Sequence, residues 1–310
     1  MTQRAIGIDV GGSTIKAARV DRCGALDGLI KTPTPADAGD IADLCGRLAA
    51  ELAFGDVVAA GVGSAGFVDR ETGVHIWGPH VAGPAPLVEA MLRATGLPAI
   101  IDNDANAAAF AELRIGAAKG HSQVLVVMLG TGIGGGLIVD GSVYRGSGFA
   151  GEIGHFIVDP AGPPCACGRN GCWETFVSGR VLDAAAVQLA HADPGGAIAA
   201  ASAGQTPTGE NLMQAARAGD PGALDAWAQA GEWLGRGVAQ LAAVLDPEVV
   251  VVGGAPSQAG DLLLDRARET LAEVRHGSGY SKVIPVVASR FGANSAVIGA
   301  ALQALESFDD

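Results

Sequence analysis

The chain has 310 residues, of which 49% are hydrophobic and only 17% are charged, so it is long enough for two domains with sizeable cores. Its net charge of −13 and the lack of a lysine-rich run argue against a nucleic-acid partner. No apolar run reaches the roughly 18–20 residues of a membrane span, and the N-terminus lacks the layout of a signal peptide. We therefore expect a cytoplasmic protein without membrane contact.

The first predicted unit is a strand, a glycine-rich turn and a second strand. Residues 5–10 and 15–20 read as apolar strands, and Gly11–Thr14 connects them. Glycine lets the backbone N–H groups of the turn approach an anion without a Cβ in the way. Asp9, at the end of the first strand, can organise a hydrated magnesium ion. A plain β-hairpin is the alternative explanation of this element.

The same pattern returns in the second half of the chain. A strand that begins at Val124 runs into the glycines of 130–136 and continues as a strand to Val139. An internal repeat of this size predicts two similar lobes, each with a turn suited to phosphate, that would grip one ligand in a cleft. Two unrelated hairpins are the alternative.

Two matches to the dinucleotide pattern G-x-G-x-x-G have no structural support. They lie at Gly61–Gly66 and Gly130–Gly135, and both are followed by stretches that look extended. The pattern has meaning only between a strand and a helix. We therefore reject a nicotinamide site, and the chain has no Walker loop either.

A polar cluster follows the predicted strand over 99–101. Asp102, Asn103 and Asp104 lead into an alanine-rich helix that we expect to reach about Ala118, and Asn106 lies just inside it. An N-cap explains one of these residues but not three in succession. A carboxylate at a strand-to-helix junction can accept a hydroxyl proton. We therefore single out Asp104 as the candidate base.

The C-terminal part of the chain alternates helices and strands. The Gly253-Gly254 turn, at the end of a buried strand, is expected to open over a helix N-terminus and so to seat a nucleotide. The remaining predictions are helices over 181–192, 223–245, 260–274 and 295–305, short helices between the first two, a strand over 283–288 and a frayed tail over 306–310.

Four residues within a stretch of eighteen have the composition of a zinc site: His155, Cys165, Cys167 and Cys172. Three thiolates and one imidazole complete a tetrahedral shell, which is typical of a structural metal and leaves no position for a reactive water. A disulfide or unrelated free thiols are the alternatives, and we favour zinc.

Two acidic residues flank the cysteine motif. Glu152 lies three residues before His155, and Glu174 lies two residues after Cys172. A bound metal would hold both carboxylates in fixed positions. The motif therefore predicts a clamp for something that these carboxylates bind.

Together these stretches resemble the ROK family of sugar kinases and related regulators, and they look closest to its bacterial glucokinase branch. The most specific part runs from Glu152 through the cysteine motif to Glu174. The resemblance implies an α/β fold of the actin/hexokinase architecture, with two ribonuclease-H-like lobes around a cleft. It places residues 1–118 and 293–310 in a small N-terminal lobe, and residues 119–292 in a larger lobe that carries the zinc motif.

The family also implies an activity. This is ATP- and magnesium-dependent phosphorylation of a hexose at its 6-hydroxyl, most plausibly glucose to glucose 6-phosphate, by a homodimer or homotetramer. Asp104 matches the base and His155 would bind both zinc and sugar. The other matches are Gly66, Asn103, Glu152 and Glu174 for the sugar, Asp9, Gly11, Gly12, Ser13, Thr14, Thr131 and Gly132 for the phosphates, and Gly253 and Gly254 for the adenosine.

Two departures from the family pattern leave substrates open. The first turn is Gly-Gly-Ser-Thr where many members have Gly-Gly-Thr-Lys, and Lys16 comes two places later, so polyphosphate is an alternative donor. Pro79-His80 stands where an asparagine is common. Fructose, allose, N-acetylmannosamine and N-acetylglucosamine are therefore alternative acceptors.

Three other functions are weaker alternatives. A pair of acids could serve a glycosidase, but the zinc motif and the phosphate turns argue against it. A sugar-responsive regulator would need a DNA-binding segment, for which we expect no room before Asp9. A sugar-binding module without catalysis conflicts with an intact Asp104.

Overall fold

The computed structural model describes residues 3–78, 81, 83–280 and 282–309. The chain divides into two compact units. Unit 1 comprises Met1–Ser122, Gly135–Gly151 and Ser289–Asp310, and unit 2 comprises Gln123–Gly134 and Glu152–Ala288. The lobe boundaries that the sequence suggests stay a prediction. Within the described part of the chain, no helix combines the length and apolar character that a membrane span requires.

Strands and helices follow one another along the whole chain. The strands are β1 (Arg4–Val10), β2 (Thr14–Asp21), β3 (Leu26–Pro33), β4 (Val57–Ser64), β5 (Phe67–Asp69), β6 (Val74–Trp77), β7 (Ala99–Asn103), β8 (Val124–Leu129), β9 (Ile133–Val139), β10 (Ser142–Tyr144), β11 (Val249–Gly254) and β12 (Val286–Ala288). The helices are α1 (Ala38–Leu52), α2 (Leu87–Thr95), α3 (Asp104–Ile115), α4 (Gly179–Ala192), α5 (Ala197–Ala201), α6 (Gly209–Arg217), α7 (Pro221–Leu245), α8 (Asp261–Val274) and α9 (Ser295–Ser307).

Two five-stranded sheets share one strand order. The first runs β3-β2-β1-β4-β7, and the second runs β10-β9-β8-β11-β12. In each, the first strand of the series lies in the middle, and the last two strands continue in parallel from it. The shared order confirms the internal repeat and the α/β class that the sequence predicts.

The central strands are apolar because they are covered on both faces. All residues of β1 after Arg4 are buried, and every residue of β11 is buried. Parallel strands buried on both faces read as continuous hydrophobic runs and not as alternating patterns. This explains why both strands are recognisable in the sequence.

Glycines allow helix α9 to lie directly on the sheet of unit 1. A Cβ at Gly7 would lie 2.0 Å from the carbonyl oxygen of Val297, and one at Gly61 would lie 1.9 Å from that of Ala300. On the helix itself, a Cβ at Gly299 would lie 1.7 Å from the carbonyl oxygen of Ala107. No other residue type allows backbones to approach so closely.

The predicted C-terminal helices are present, and the ends of α3, β12 and α9 differ from the prediction. Helix α3 ends at Ile115 and not at 118, because the Glu112 carboxylate accepts the backbone N–H of Ala117 at 2.7 Å. The Gly253-Gly254 turn opens on a short 3₁₀ helix, Ala255–Ala259, with Gly254 at its N-cap position, and α8 follows from Asp261. Strand β12 is shorter than predicted, and α9 extends into the tail that was expected to fray.

Candidate active site

The carboxyl ends of three parallel strands of unit 1 lie at one edge of its sheet. The register pairs Val10 of β1 with Ser64 of β4, and Ser64 with Asn103 of β7. Ligands of open α/β sheets bind outside such carboxyl ends. The predicted site residues at or just beyond these ends are Asp9, Gly11, Gly12, Ser13, Thr14, Gly66, Asn103 and Asp104.

Asn103 and Asp104 have different structural roles at the start of α3. Asn103 is the N-cap, since its Oδ1 accepts the N–H groups of Ala105 at 2.9 Å and Asn106 at 3.1 Å. Its Nδ2 donates to the carbonyl of Gly66 at 3.2 Å. Asp104 is the first helical residue and is half-buried. Capping therefore accounts for Asn103, and Asp104 is the carboxylate that can serve as a base.

Asp102, just before this pair, is the centre of a buried polar network. Its side chain is 1% exposed, and its Oδ2 accepts hydrogen bonds from Arg145 Nε at 3.0 Å, Arg145 Nη2 at 2.7 Å and Gln303 Nε2 at 2.8 Å. Its Oδ1 accepts the N–H of Asn103 at 2.9 Å. Arg145 and Gln303 lie 43 and 201 positions away from Asp102, so no local pattern in the sequence connects them with it.

Gly66 has a conformation that only glycine tolerates. Its φ is +100°, and a Cβ there would lie 2.4 Å from the carbonyl oxygen of Trp77. Together with the bond from Asn103, this fixes the backbone of Gly66 beside the start of α3. The neighbouring departure at Pro79-His80 lies outside the described residues.

The first glycine turn has the geometry of a hairpin. Strands β1 and β2 are antiparallel, and the N–H of Gly11 donates to the carbonyl of Thr14 at 3.2 Å. The hydroxyl of Thr34 donates to the carbonyl of Gly11 at 2.7 Å. Two hydrogen bonds therefore hold the turn, one inside it and one from Thr34, the residue after β3.

Lys16 lies beside the predicted magnesium residue, Asp9. Its Nζ is 3.2 Å from Oδ2 of Asp9 and donates to the carbonyl of Ala293 at 2.6 Å. Burial raises the pKa of Asp9, and the charge of Lys16 opposes this rise. Mg²⁺ binds through carboxylate oxygens and keeps several waters, so the residue type fits the ion.

The four predicted zinc ligands converge in unit 2. One ligand atom from each of them lies within 4.8 Å of every other, and the set is His155, Cys165, Cys167 and Cys172. The sulfurs of Cys167 and Cys172 are 3.5 Å apart, and Nδ1 of His155 lies 3.7 Å from Cys165 Sγ. Three sulfurs and one imidazole nitrogen at this spacing fit a tetrahedral zinc ion.

The thiols of this cluster differ in acidity. Burial raises the pKa of Cys165 to about 12. Desolvation works in the same sense on Cys167, but hydrogen bonds from Arg169 and the other thiols lower its pKa to about 6. Cys167 therefore offers a thiolate near neutral pH, whereas Cys165 would lose its proton when a metal binds.

The two flanking carboxylates face different surroundings. Glu174 Oε1 lies 3.8 Å from Nδ1 of His155 and accepts from Cys165 Sγ at 3.2 Å. Glu152 is exposed as a residue, yet desolvation of its carboxyl group and the charge of Glu174 raise its pKa, while His155 lowers it. A carboxyl group whose pKa is shifted by burial and by neighbouring charges, as in Glu152, is typical of binding sites.

The second glycine turn packs directly on Glu174. The N–H of Ile133 donates to Glu174 Oε2 at 3.4 Å, and a Cβ at Gly132 would lie 2.2 Å from the same oxygen. The predicted phosphate turn, which includes Thr131, and a predicted sugar residue of unit 2 are therefore in contact. A shift of the Glu174 carboxylate would therefore displace the turn, and the reverse.

Gly254 lies against the strand that leads into this turn. Strands β8 and β11 are parallel, and a Cβ at Gly254 would lie 1.9 Å from the carbonyl oxygen of Leu129. Gly253, Gly254 and Gly130–Gly132 thus occupy the carboxyl ends of neighbouring strands. The shared edge agrees with a nucleotide-binding role, which stays a prediction.

A tryptophan fixes the position of the zinc motif on α7. Trp173 is fully buried, and its Nε1 donates to the carbonyl of Trp233 at 2.8 Å. A Cβ at Gly237 would lie 2.1 Å from the same indole. Because Trp173 lies between Cys172 and Glu174, this contact sets where both side chains stand.

A cavity of about 470 Å³ in unit 2 lies beside Trp233, the partner of Trp173, and none of the predicted site residues lines it. Its lining includes Asp159, Trp233, Arg236 and His276, none of which the sequence assigns to the site. Arg236 is already paired with Glu232 at 2.7 Å. We therefore do not assign this cavity to the reaction.

Comparison with known proteins gives the same family. The profile of the ROK family matches residues 5–307. A glucokinase from Streptomyces coelicolor is 38% identical over 303 residues, which cover 96% of this chain and 96% of that protein. An N-acetylmannosamine kinase from Citrobacter koseri is 32% identical over 307 residues, which cover 96% of this chain and 98% of that protein.

A solved structure extends the likeness to the fold. The ROK family glucokinase from Streptomyces griseus, in complex with glucose and AMPPNP, is 37% identical and superimposes with a TM-score of 0.89. The match covers 98% of this chain and 99% of that one. It confirms the predicted actin/hexokinase architecture. On the profile match and on relatives of this identity and coverage, the chain belongs to the ROK family.

Proposed function

We propose that the protein is a sugar kinase that transfers the γ-phosphoryl group of ATP to the 6-hydroxyl of a hexose, with glucose as the first candidate. The observation that carries this proposal is Asp104, a half-buried carboxylate one residue beyond the carboxyl end of β7, in a chain that resembles glucokinases over 96% of its length. The glucose and AMPPNP bound to the S. griseus relative support both substrates.

In the proposed reaction, Asp104 accepts the proton of the sugar hydroxyl as its oxygen attacks the γ-phosphorus. The bond from that phosphorus to the bridging oxygen breaks, and ADP leaves with the electron pair. Phosphoryl transfer depends mainly on positioning and charge neutralisation, so the remaining residues orient the substrates. For the sugar these are Gly66, Asn103, Glu152, His155 and Glu174.

Two glycine turns and two metals support this chemistry. The turns are Gly11–Thr14 with Asp9, and Thr131-Gly132, while Gly253-Gly254 serves the adenosine. Asp9 would hold Mg²⁺, which neutralises phosphate charge when bound. The zinc shell is complete with protein ligands, so zinc would fix the loop that carries the sugar residues and take no part in the transfer.

The test is an ADP-release assay with ATP and magnesium over a panel of sugars. The panel contains glucose, mannose, fructose, allose, N-acetylglucosamine and N-acetylmannosamine, and polyphosphate is tested separately by detection of the sugar phosphate. A preference for glucose supports the proposal, and a preference for an N-acyl hexosamine, as the C. koseri relative's name suggests, keeps the mechanism but changes the substrate. Silence with every sugar and donor contradicts it and favours a sugar-binding regulator.

The proposed assembly is a homodimer or homotetramer that works in cytoplasmic carbohydrate metabolism. Light scattering coupled to size-exclusion chromatography would measure the mass in solution. A monomer at assay concentrations would contradict the oligomer without affecting the proposed activity.

A further inference from the structure

Three aromatic side chains of unit 1 form a cluster that the proposed mechanism does not use. The ring of Phe67 lies with its centroid 4.5 Å from that of Phe149 and 5.7 Å from that of Trp77. Phe67 and Trp77 are cross-strand partners in the β5–β6 hairpin. Trp77 is 48% exposed and Phe149 is 50% exposed, so both rings that pack on Phe67 also present apolar surface to solvent.

The cluster begins at the predicted sugar residues of the same unit. Phe67 directly follows Gly66, whose carbonyl accepts a hydrogen bond from Asn103 at 3.2 Å. On the other strand, the carbonyl oxygen of Trp77 is only 2.4 Å from the position that a Cβ on Gly66 would take, so the two backbones are in close contact. Polar groups that suit sugar hydroxyls and exposed aromatic faces are therefore neighbours on one surface.

Phe149 is held in place and is not a loose surface residue. It lies between Gly148 and Gly151, which both have positive φ, of +112° and +99°. A Cβ on Gly151 would lie 2.3 Å from the carbonyl oxygen of Gly135. On the other side, Arg145 ties the same segment to Asp102 at 2.7 Å. A residue fixed at both ends in an exposed position fits a preformed contact surface.

This arrangement suits a pyranose ring. A hexose has hydroxyl groups around its rim and C–H groups on its faces, so it binds best where hydrogen-bonding groups and an aromatic surface adjoin. Ligand pockets combine apolar walls with a few placed polar groups in this way. The polar groups of Asn103 and Gly66 beside the cluster therefore favour a sugar over a protein partner.

We propose that Phe67, Trp77 and Phe149 form an apolar wall that packs against the C–H face of the hexose acceptor and so determines its affinity. This inference rests on the proposed sugar kinase function. It assigns to the wall a contribution to sugar binding and none to the phosphoryl transfer step.

Steady-state kinetics of Trp77→Ala and Phe149→Ala test the wall. Each variant should raise the KM for glucose about tenfold and change kcat less than about threefold, because a contact present in both ground and transition states affects KM alone. The KM for ATP should not change. Trp77→Phe keeps the apolar surface and should restore most of the affinity. Phe54→Ala is the matched control, since Phe54 is an aromatic of the same unit, 55% exposed and stacked on Arg19.

Tryptophan fluorescence gives a second readout that needs no catalysis. Titration with glucose in the absence of nucleotide should change the emission of the unaltered protein, and Trp77→Phe should lose the part of this change that comes from Trp77, while Trp173, Trp227 and Trp233 still contribute theirs. An unchanged KM in both alanine variants, or a full response in Trp77→Phe, would overturn the wall. If the unaltered protein phosphorylates no sugar but its fluorescence responds to sugars through Trp77, the proposed kinase function fails and the wall stands.

Discussion

Arg145 donates hydrogen bonds from Nε and Nη2 to the carboxylate of Asp102, at 3.0 and 2.7 Å. Asp102 lies two positions before the proposed base, Asp104. The carboxylate is 1% exposed, whereas the guanidinium side chain is 24% exposed. A partly exposed cation therefore neutralises a buried anion. The pair also fixes the end of β7, where Asn103 and Asp104 follow Asp102.

Removal of this cation should be costly. Arg145→Ala is expected to lower the free energy of unfolding by about 3–5 kcal/mol, because it leaves a buried charge with incomplete compensation. Turnover should fall as well, since the junction that carries Asp104 loses its anchor. Urea unfolding and steady-state kinetics measure the two effects, and Arg145→Lys should recover part of each.

Arg93→Ala is the control for a pair that matters little. Arg93 and Glu89 are 4.0 Å apart and both side chains are mostly exposed, so its loss should change stability by less than about 1 kcal/mol. Equal effects of the two alanine variants would remove the special role assigned to Arg145.

Asp104→Asn should separate chemistry from binding. The amide cannot accept the hydroxyl proton, so we expect turnover to fall by about 10²–10⁴-fold while sugar still binds. Asp37→Asn is the control, because Asp37 caps α1 through its side chain and asparagine caps as well. Near-normal turnover of Asp104→Asn would show that another group takes the proton.

The zinc assignment predicts a link between metal content and stability. Cys167→Ser should lose bound zinc and lower the melting temperature, because metal binding to a closed site contributes folding free energy. Cys23→Ser, which alters an exposed cysteine outside the cluster, should keep both. Elemental analysis and thermal unfolding test this, and a folded, zinc-free native sample would contradict the clamp.

Gly237→Ala tests the contact that positions the zinc motif. Its methyl group would lie 2.1 Å from the Trp173 indole, so we expect a loss of about 1–3 kcal/mol from overpacking. Gly195→Ala is the control, because a Cβ at that exposed glycine meets nothing closer than 3.8 Å. Thermal unfolding of the two variants should differ clearly, and equal melting temperatures would mean that the indole moves at no cost.

His75 predicts how stability depends on pH. It is fully buried, with Nδ1 3.0 Å from the Ser64 hydroxyl and Nε2 3.3 Å from the Val81 carbonyl, and burial lowers its pKa. The unfolded chain therefore binds a proton first as the pH falls below about 6.5, and folding free energy is lost at up to about 1.4 kcal/mol per pH unit in that window. Above about pH 6.5, His75 is neutral in both states and its contribution to the folding free energy no longer changes with pH.

Urea unfolding between pH 7.5 and 5 measures this dependence. His75→Asn should be less stable at pH 7.5 but should show a flatter loss of stability towards pH 5. The control His191→Gln, at an exposed position near the end of α4, should follow the unaltered protein. Parallel curves for all three proteins would place the acid sensitivity elsewhere.

The elements that local pattern determines were predictable from the sequence. Strands such as β11 are continuous apolar runs between glycines, and the zinc ligands lie close in the chain, so both are readable from neighbouring residues. Contacts between distant segments were not. Gln303 reaches Asp102 across 201 positions, and only the position of α9 against the first sheet brings them together.

The aromatic cluster shows the same limit. Phe67 and Phe149 are ordinary residues in their own segments, and 82 positions separate them. Only the fold brings β5 and the segment after β10 together.

The glycine contacts of α9 have a consequence for synthesis on the ribosome. Gly7 and Gly61 belong to strands that are synthesised well before α9, whose backbone covers them. Domains generally fold as units during translation, but the face of the sheet that α9 covers stays bare until α9 has left the exit tunnel. We therefore expect the nascent chain to keep that face exposed to chaperones for most of its synthesis, and chains that terminate before α9 to be cleared as misfolded.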